Sequence, residues 1–405
     1  MLKKFLCAAV ITWSMTLPGA AATVTYLGQQ QDSFETAHVF RLEGEITTGD
    51  VERLAKAVDR DGGGARVLLE LEGPGGDYLT GLSLALELRQ RGIKTVVRTG
   101  DACFSACAIA FMGGSAELRD PLLSAEDDIP RQAPDRQLER GALVGFHAPY
   151  LDVSSSTYTA ANVQDAYRDA VDGISLLIRL AGHLYIDPLE LPRLLEPDRD
   201  SAFMTDTVDA VRALWIEYPD PDHLRVGMIG TFTRTMVTSA CVNRWYHRQR
   251  RSALSGYGSA HRVAMEFDEG SALLDNGEQG LSFGVRRVVS GTNATWLAYM
   301  PISMTEDGRN FVWCVFDPSP GSLPSVFYRP AGTIEELFEP LEVGEGLWGL
   351  RLVGDIINPA AGTEGYQFTL LQTIDMVPAH TSLDDVATRI HFYQRTEMDL
   401  AKLAR

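Results

Sequence analysis

From residue 36 to residue 217 the chain alternates strand-like with helix-like stretches, and no other feature narrows its fold as much. AHVFRLEG, ARVLLELEG and IKTVVRTG read as strands, while TTGDVERLAKAVD and YLTGLSLALELRQRG between them read as helices. Strands separated by helices of this length predict parallel βαβ units. SACAIAFMGG opens the next helix, and ALVGFH reads as a further strand. Between them lies a stretch rich in Asp, Pro and Arg, from Ser115 to Arg140, with too little periodic apolar content for a core element; it is expected to be a surface loop beside the site. A long helix is predicted from about Thr159, with Val163, Ala166, Tyr167, Ala170, Ile174, Leu177 and Leu180 on one face. YPDPDHL, at 218–224, then punctuates the chain. Beyond it come short β-like runs (LSFGVRRVVSG, NATWLAYMPIS, NFVWCVFDP, GLWGLRLVGDII, YQFTLLQTIDM) and a helical tail from about Ser382. A mature chain of about 380 residues exceeds what one core usually holds. The expectation is therefore an α/β domain over 23–223 and a β-rich domain over 224–405, with no convincing repeat.

The compartment follows from the start of the chain. MLKKFLCAAVITWSMTLPGAAA has a basic beginning, an apolar middle and small residues at its end, the pattern of a secretory signal over 1–22 cleaved after Ala22. No later stretch is apolar enough to span a bilayer, so the mature chain is read as exported and soluble. Of five cysteines, Cys7 leaves with the signal; Cys103, Cys107, Cys241 and Cys314 remain. An even number in an oxidising compartment favours disulfides. Zinc would ask for two close pairs of Cys or His ligands; only one close pair exists, and none of the eight histidines makes a His-x₃₋₅-His partner. A redox pair would more often read Cys-x-x-Cys than Cys-x-x-x-Cys. Positions i and i+4 of a helix lie about 6 Å apart, within disulfide range, so Cys103–Cys107 is expected to staple the turn around Ser105 and Cys241–Cys314 to close a long loop. The net charge of −18 leaves no basic stripe for a nucleic-acid backbone and reads as a solubilising surface.

Three features fall at the C-terminal ends of predicted strands, the rim where parallel sheets build sites. LLELEGPGGD places Gly75 and Gly76 after one strand, TVVRTGDACFSAC places Ser105 after the next, and ALVGFHAPY places His147 at the end of a third. Together they offer what acyl transfer needs: a nucleophile, a general base, and backbone N–H groups for an oxyanion. Each residue also has an ordinary role open to it. Ser105 could cap a helix, His147 could be a rim histidine, and the glycines could serve only a tight turn. Gly280-Leu-Ser282-Phe-Gly284 matches the nucleophile-elbow string, but that motif needs a helix directly after it and VRRVVSG reads as a strand.

The order of these parts resembles the Clp protease proteolytic subunit and its crotonase-fold relatives, above all exported Clp-like proteins whose serine lies within Cys-x-Ser-Ala-Cys. The resemblance covers about residues 36–217 and implies a βαβ spiral. It places the nucleophile at Ser105, the base at His147 (VGFHAP) and the oxyanion donors at Gly75 or Gly76 with Ala106. The orienting acid falls at Asp200 in EPDRDSAFMT, with Asp198 open because the register slips by one residue. Glu72-Gly73 stand where the family commonly has Asn-Ser, and the stretch from Ser105 to His147 carries extra residues. The resemblance implies an ATP-independent serine peptidase acting on a peptide or protein substrate, without metal or organic cofactor, in the periplasm, with a homo-oligomer as the assembly to look for. A serine–lysine dyad is disfavoured, because none of the five lysines falls at a strand's C-terminal rim. The rival reading is a catalytically silent Clp-like scaffold that presents the β-rich module as a binding surface.

Overall fold

The computed structural model describes residues 21–32, 35–117, 132–150, 158–198, 201–219, 232–248, 284–290, 293–305, 308–317, 325–331, 367–370 and 372–403. The α/β part is built on two sheets. In the first, strands β1 (Thr23–Asp32) and β2 (Glu35–Glu43) form an antiparallel hairpin. β2 then runs parallel to β3 (Val67–Glu72), β3 to β4 (Lys94–Val97), and β4 to β8 (Arg136–Leu138). Helices α1 (Asp50–Asp61) and α2 (Tyr78–Arg91) supply the crossovers. β3 is VLLELE, almost wholly buried, as a parallel strand covered on both faces should be. α1 buries Leu54, Ala57 and Val58, one stripe at helical spacing. α2 starts where the Asp77 side chain accepts from Thr80 N–H at 2.7 Å, and it ends at Gly92 in the left-handed region.

The second sheet is small and makes the site. The expected strand IKTVVRTG ends at Val97, and the chain turns over 98–101 into a separate strand, β5 (Ala102–Phe104). β5 pairs parallel with β9 (Leu143–Phe146), which pairs antiparallel with β10 (Phe203–Met204). The expected single rim is thus two sheet ends, joined at a bridge between Gly73 and Cys103. Helix α3 (Ala106–Phe111) follows Ser105 at once, and all six of its residues are buried.

The stretch from Ser115 to Arg140 is not all loop. Residues 118–131 lie outside the described residues, but β6 (Ser115–Glu117) and β7 (Gln132–Pro134) pair as a ribbon, and β8 is the edge of the first sheet. Low apolar content misled because Arg136, 1% exposed, is a core residue; its Nη1 donates to the carbonyls of Met112 at 2.7 Å and Leu184 at 3.0 Å. Helix α4 (Ala160–Leu180) begins at a Thr159–Asn162 capping box, as expected of the long helix. Its apolar face is not a core face along its whole length: Gly173 and Leu177 are buried, while Val163 and Tyr167 are 54% and 73% exposed. Two short helices, α5 (Leu191–Leu195) and α6 (Val208–Ala213), complete this part.

Beyond it, α7 (Arg234–Arg248) precedes an antiparallel meander of β11 (Gly284–Ser290), β12 (Asn293–Thr305), β13 (Gly308–Asp317), β14 (Ser325–Ala331) and β15 (Gln367–Leu370). The tail helix is α8 (Val386–Leu403). GLWGLRLVGDII falls outside the described residues, whereas SVFYRPA of β14 was missed. The elements flanking the meander return to the α/β part. Met236, Ala240, Ile374, Met376 and Ile390 share one hydrophobic cluster with Val208 and Val211 of α6. Val208 N–H donates to Thr381 O at 3.0 Å, Asp209 N–H to Ala379 O at 2.8 Å, and the buried Arg212 pairs with the buried Asp375 at 2.7 Å.

Candidate active site

After β3 the chain makes the turn Gly73-Pro-Gly-Gly-Asp77. Gly73 N–H donates to Ala102 O at 2.8 Å, and Gly73 O accepts from Phe104 N–H at 3.0 Å, so the turn is fastened to β5. Gly75 and Gly76 have φ of 110° and 131°, which side chains disfavour. Space forbids a side chain too: a Cβ on Gly75 would lie 2.5 Å from the Ser105 Cβ, and one on Gly76 would lie 2.1 Å from Ile46 O. The glycine turn therefore lies directly against Ser105. Among the described residues, no backbone carbonyl takes the N–H of Gly75, Gly76 or Ala106.

Ser105 occupies the joint between β5 and α3 with φ 56° and ψ −123°. That is the conformation glycine takes at the first central position of a type II′ turn, and a side chain there is strained. The backbone around it is nonetheless fixed: Ser105 N–H donates to Gly145 O at 2.9 Å, and Ser105 O accepts from Ile109 N–H at 3.0 Å. Its hydroxyl makes no capping bond, so the helix-cap role is not the one realised. Cys103 and Cys107 are joined in a disulfide with Cα atoms 5.2 Å apart, bracketing the serine as expected. Cys241 is disulfide-bonded as well; the side chain of its expected partner, Cys314, lies outside the described residues.

β9 delivers His147. Phe104 is opposite Gly145 in the parallel register, so Ser105 and His147 leave neighbouring strand ends. His147 Nδ1 bonds the Ala148 carbonyl at 2.8 Å. A carbonyl only accepts, so Nδ1 carries the hydrogen and the neutral ring keeps Nε2 as its acceptor. The ring also lies 5.2 Å, centroid to centroid, from that of Tyr150, a neighbour the sequence reading passed over although it stands three residues away. No hydrogen bond joins the Ser105 hydroxyl to the imidazole among the described residues.

Asp200 lies outside the described residues; Asp198 does not. Ala148 N–H donates to Pro197 O at 2.9 Å, and β10 pairs with β9 through Phe203 and Phe146, so the segment around Asp198 runs alongside the end of β9. Asp198 Oδ1 accepts from the Ser201 hydroxyl at 2.9 Å. Gly280 and Ser282 of the second serine motif lie outside the described residues, and Gly284 opens strand β11 where that motif needs a helix. Among the described residues, no three His, Cys, Asp or Glu side chains group to hold a metal ion, and no helix is long and apolar enough to cross a membrane. Ala22, at the end of the expected leader, is buried and donates its N–H to Glu45 O at 2.8 Å; residues 1–20 lie outside the described residues.

No family model matches the chain, and no curated protein matches it. Among solved structures, it is similar to a mutant of the 1510-N membrane-bound stomatin-specific protease, with 14% identity, 41% of this chain and 71% of that chain covered, and a TM-score of 0.27. At that level the likeness bears on neither family nor activity.

Proposed function

We propose that the protein is an exported, ATP-independent serine hydrolase of peptidase type, with Ser105 as nucleophile, His147 as general base and Asp200 or Asp198 as orienting acid. The observation that carries this reading is the backbone of Ser105: a non-glycine residue held at φ 56°, ψ −123°, with its hydroxyl released from capping. Strain of this kind is kept only where surrounding structure enforces it, and it clusters at functional sites. The N–H groups of Gly75 or Gly76 and of Ala106, which no backbone carbonyl takes among the described residues, would receive the oxyanion beside the serine that Gly75 touches. The His147 tautomer suits a base that takes a proton at Nε2, and the Nδ1 hydrogen now on the Ala148 carbonyl is the one the orienting Asp would take over in the working site. The disulfide agrees with an oxidising compartment such as the periplasm. The substrate would be a peptide or protein, no cofactor enters the scheme, and a homo-oligomer would be the working form.

A second reading, a silent scaffold that displays the β-rich module, is favoured by one observation: the serine hydroxyl and the imidazole are not hydrogen-bonded. Apo sites often tighten only with substrate, so labelling decides. A fluorophosphonate probe on each oligomeric species of the oxidised protein should modify Ser105. Labelling should vanish in Ser105→Ala, fall strongly in His147→Ala, fall less in Asp200→Asn or Asp198→Asn, and be unchanged in Ser282→Ala. Folded protein that stays unlabelled in every species would leave the scaffold as the better account.

A further inference from the structure

Arg41 stands on β2, on the sheet face it shares with Val39, opposite the main core. Its guanidinium meets Asp101 with both arms, Nη1 at 2.8 Å from Oδ2 and Nη2 at 3.2 Å from Oδ1. Nη2 also donates to Glu72, Nη1 reaches Glu70 at 3.4 Å, and Nε donates to Glu43 at 3.1 Å. These acids are not scattered. Glu72 is the last residue of β3, directly before Gly73, and Asp101 directly precedes Ala102. Gly73 and Ala102 are the residues whose hydrogen bond, with that of Phe104 to Gly73, fastens the first sheet to the second. Glu72 leads into the turn of Gly75 and Gly76, and Asp101 leads through β5 to Ser105. The turn that carries the chain between sheets is braced at its other end by Arg98, which pairs with Glu70 at 2.6 Å and Glu139 at 2.7 Å.

We propose that Arg41 is a positioning residue for the Ser105 site: by bridging Glu72 and Asp101 it sets the spacing between the glycine turn and the nucleophile strand. This rests on the hydrolase reading. Only a planar fork with several fixed donors spans these carboxylates at once; a lysine ammonium offers no such geometry. Asp101 is also the chief cause of the raised proton affinity of the guanidinium, with burial opposing it and Glu43 and Glu72 adding to it. Displacing the oxyanion donors from the nucleophile by a fraction of an ångström slows bond formation without weakening first encounter with a reagent, and a shift of about 1 Å can cost on the order of 100-fold.

The test separates binding from reaction. Fluorophosphonate inactivation is followed over a range of probe concentrations for the wild type, Arg41→Met, Asp101→Asn and Glu43→Gln. Asp101→Asn keeps the arginine and guards against the chance that Arg41→Met fails to fold. The limiting rate constant should fall about 10-fold or more in Arg41→Met and Asp101→Asn at unchanged half-saturating concentration, while Glu43→Gln, which removes the most exposed of the four acids around Arg41, stays within about two-fold of wild type. Wild-type limiting rates in folded Arg41→Met or Asp101→Asn would overturn the proposal, whatever happened to their melting temperatures. If the wild type itself is never labelled, the hydrolase reading fails, and the clamp is read from amide exchange. Exchange at Gly73 and Phe104 should accelerate about 10-fold or more in Asp101→Asn relative to amides inside α2. Unchanged exchange there would overturn the clamp.

Discussion

If Ser105 is strained, replacing it with glycine should make the protein more stable while abolishing its reactivity. An L-residue held in such a region costs about 1–3 kcal/mol, and at φ 56°, ψ −123° the Ser105 Cβ also abuts Gly75. Ser105→Ala keeps the Cβ and thus the strain, so it is the correct reference. Glycine removes the strain and adds about 0.5–1 kcal/mol of unfolded-chain freedom. That penalty sits at its lower end here, because the Cys103–Cys107 disulfide already confines the loop in the unfolded chain. The difference leaves Ser105→Gly more stable than Ser105→Ala by roughly 1 kcal/mol, equivalent to about 2–4 °C in a domain of this size. Urea unfolding of both variants, without reductant and at equal protein concentration, reads it directly as a shift in midpoint. At an ordinary site the glycine variant is the weaker one. A glycine variant less stable than the alanine variant would mean that the joint stores no strain, and the main support for a nucleophile at Ser105 would go with it.

Gly75→Ala places a Cβ 2.5 Å from the Ser105 Cβ and 2.9 Å from Phe104 O at φ 110°, so it should cost about 2–4 kcal/mol and abolish probe labelling, as thermal melts and labelling of the folded fraction would report. Burial alone would raise the Glu139 pKa, but the Thr99 N–H and Arg98 outweigh it and the group is lowered. Its stabilising effect is therefore complete above the ordinary carboxylate pKa of about 4.3 and is lost as pH falls through the depressed folded value. The deficit of Glu139→Gln against wild type should be largest near neutrality and close in acid, which stability curves at several pH values would show. Peptide mapping without reductant should return Cys241 joined to Cys314; a free Cys314 thiol would refute that pairing.

The helices and strands from residue 36 to 97 were legible because their signals are local: a buried six-residue run in β3, an amphipathic stripe in α1 and a Gly-terminated α2. The positions of Gly75, Ser105 and His147 at element ends were legible for the same reason. The split into two sheets was not, because IKTVVRTG reads as a single strand and the turn at 98–101 is held by partners far along the chain, Glu70 and Glu139 on Arg98 and Arg41 on Asp101. β8 was hidden by a charge: nothing local announces that Arg136 will be buried against carbonyls from two other segments. α7 was missed because its buried face carries Thr235, Ser239 and Asn243, and Asn243 is there to donate to the carbonyls of Asp375 and Val377.

Those same bonds decide when the molecule can be finished. Asp209 and Arg212 of α6 find their partners at Ala379 and Asp375, more than a hundred and fifty residues later in the chain, and Leu383 N–H returns to Asp206 O at 2.8 Å. Contacts of such separation form late, because the loop between them must close first. A chain threading outward from its N-terminus could thus assemble the Ser105 joint and its sheets yet carry α6 with an unneutralised buried arginine until the last residues emerge. Completion of the α/β part would then wait on the chain's end, and a translation product stopped before residue 372 would remain an unsealed, protease-sensitive body with its serine already in place.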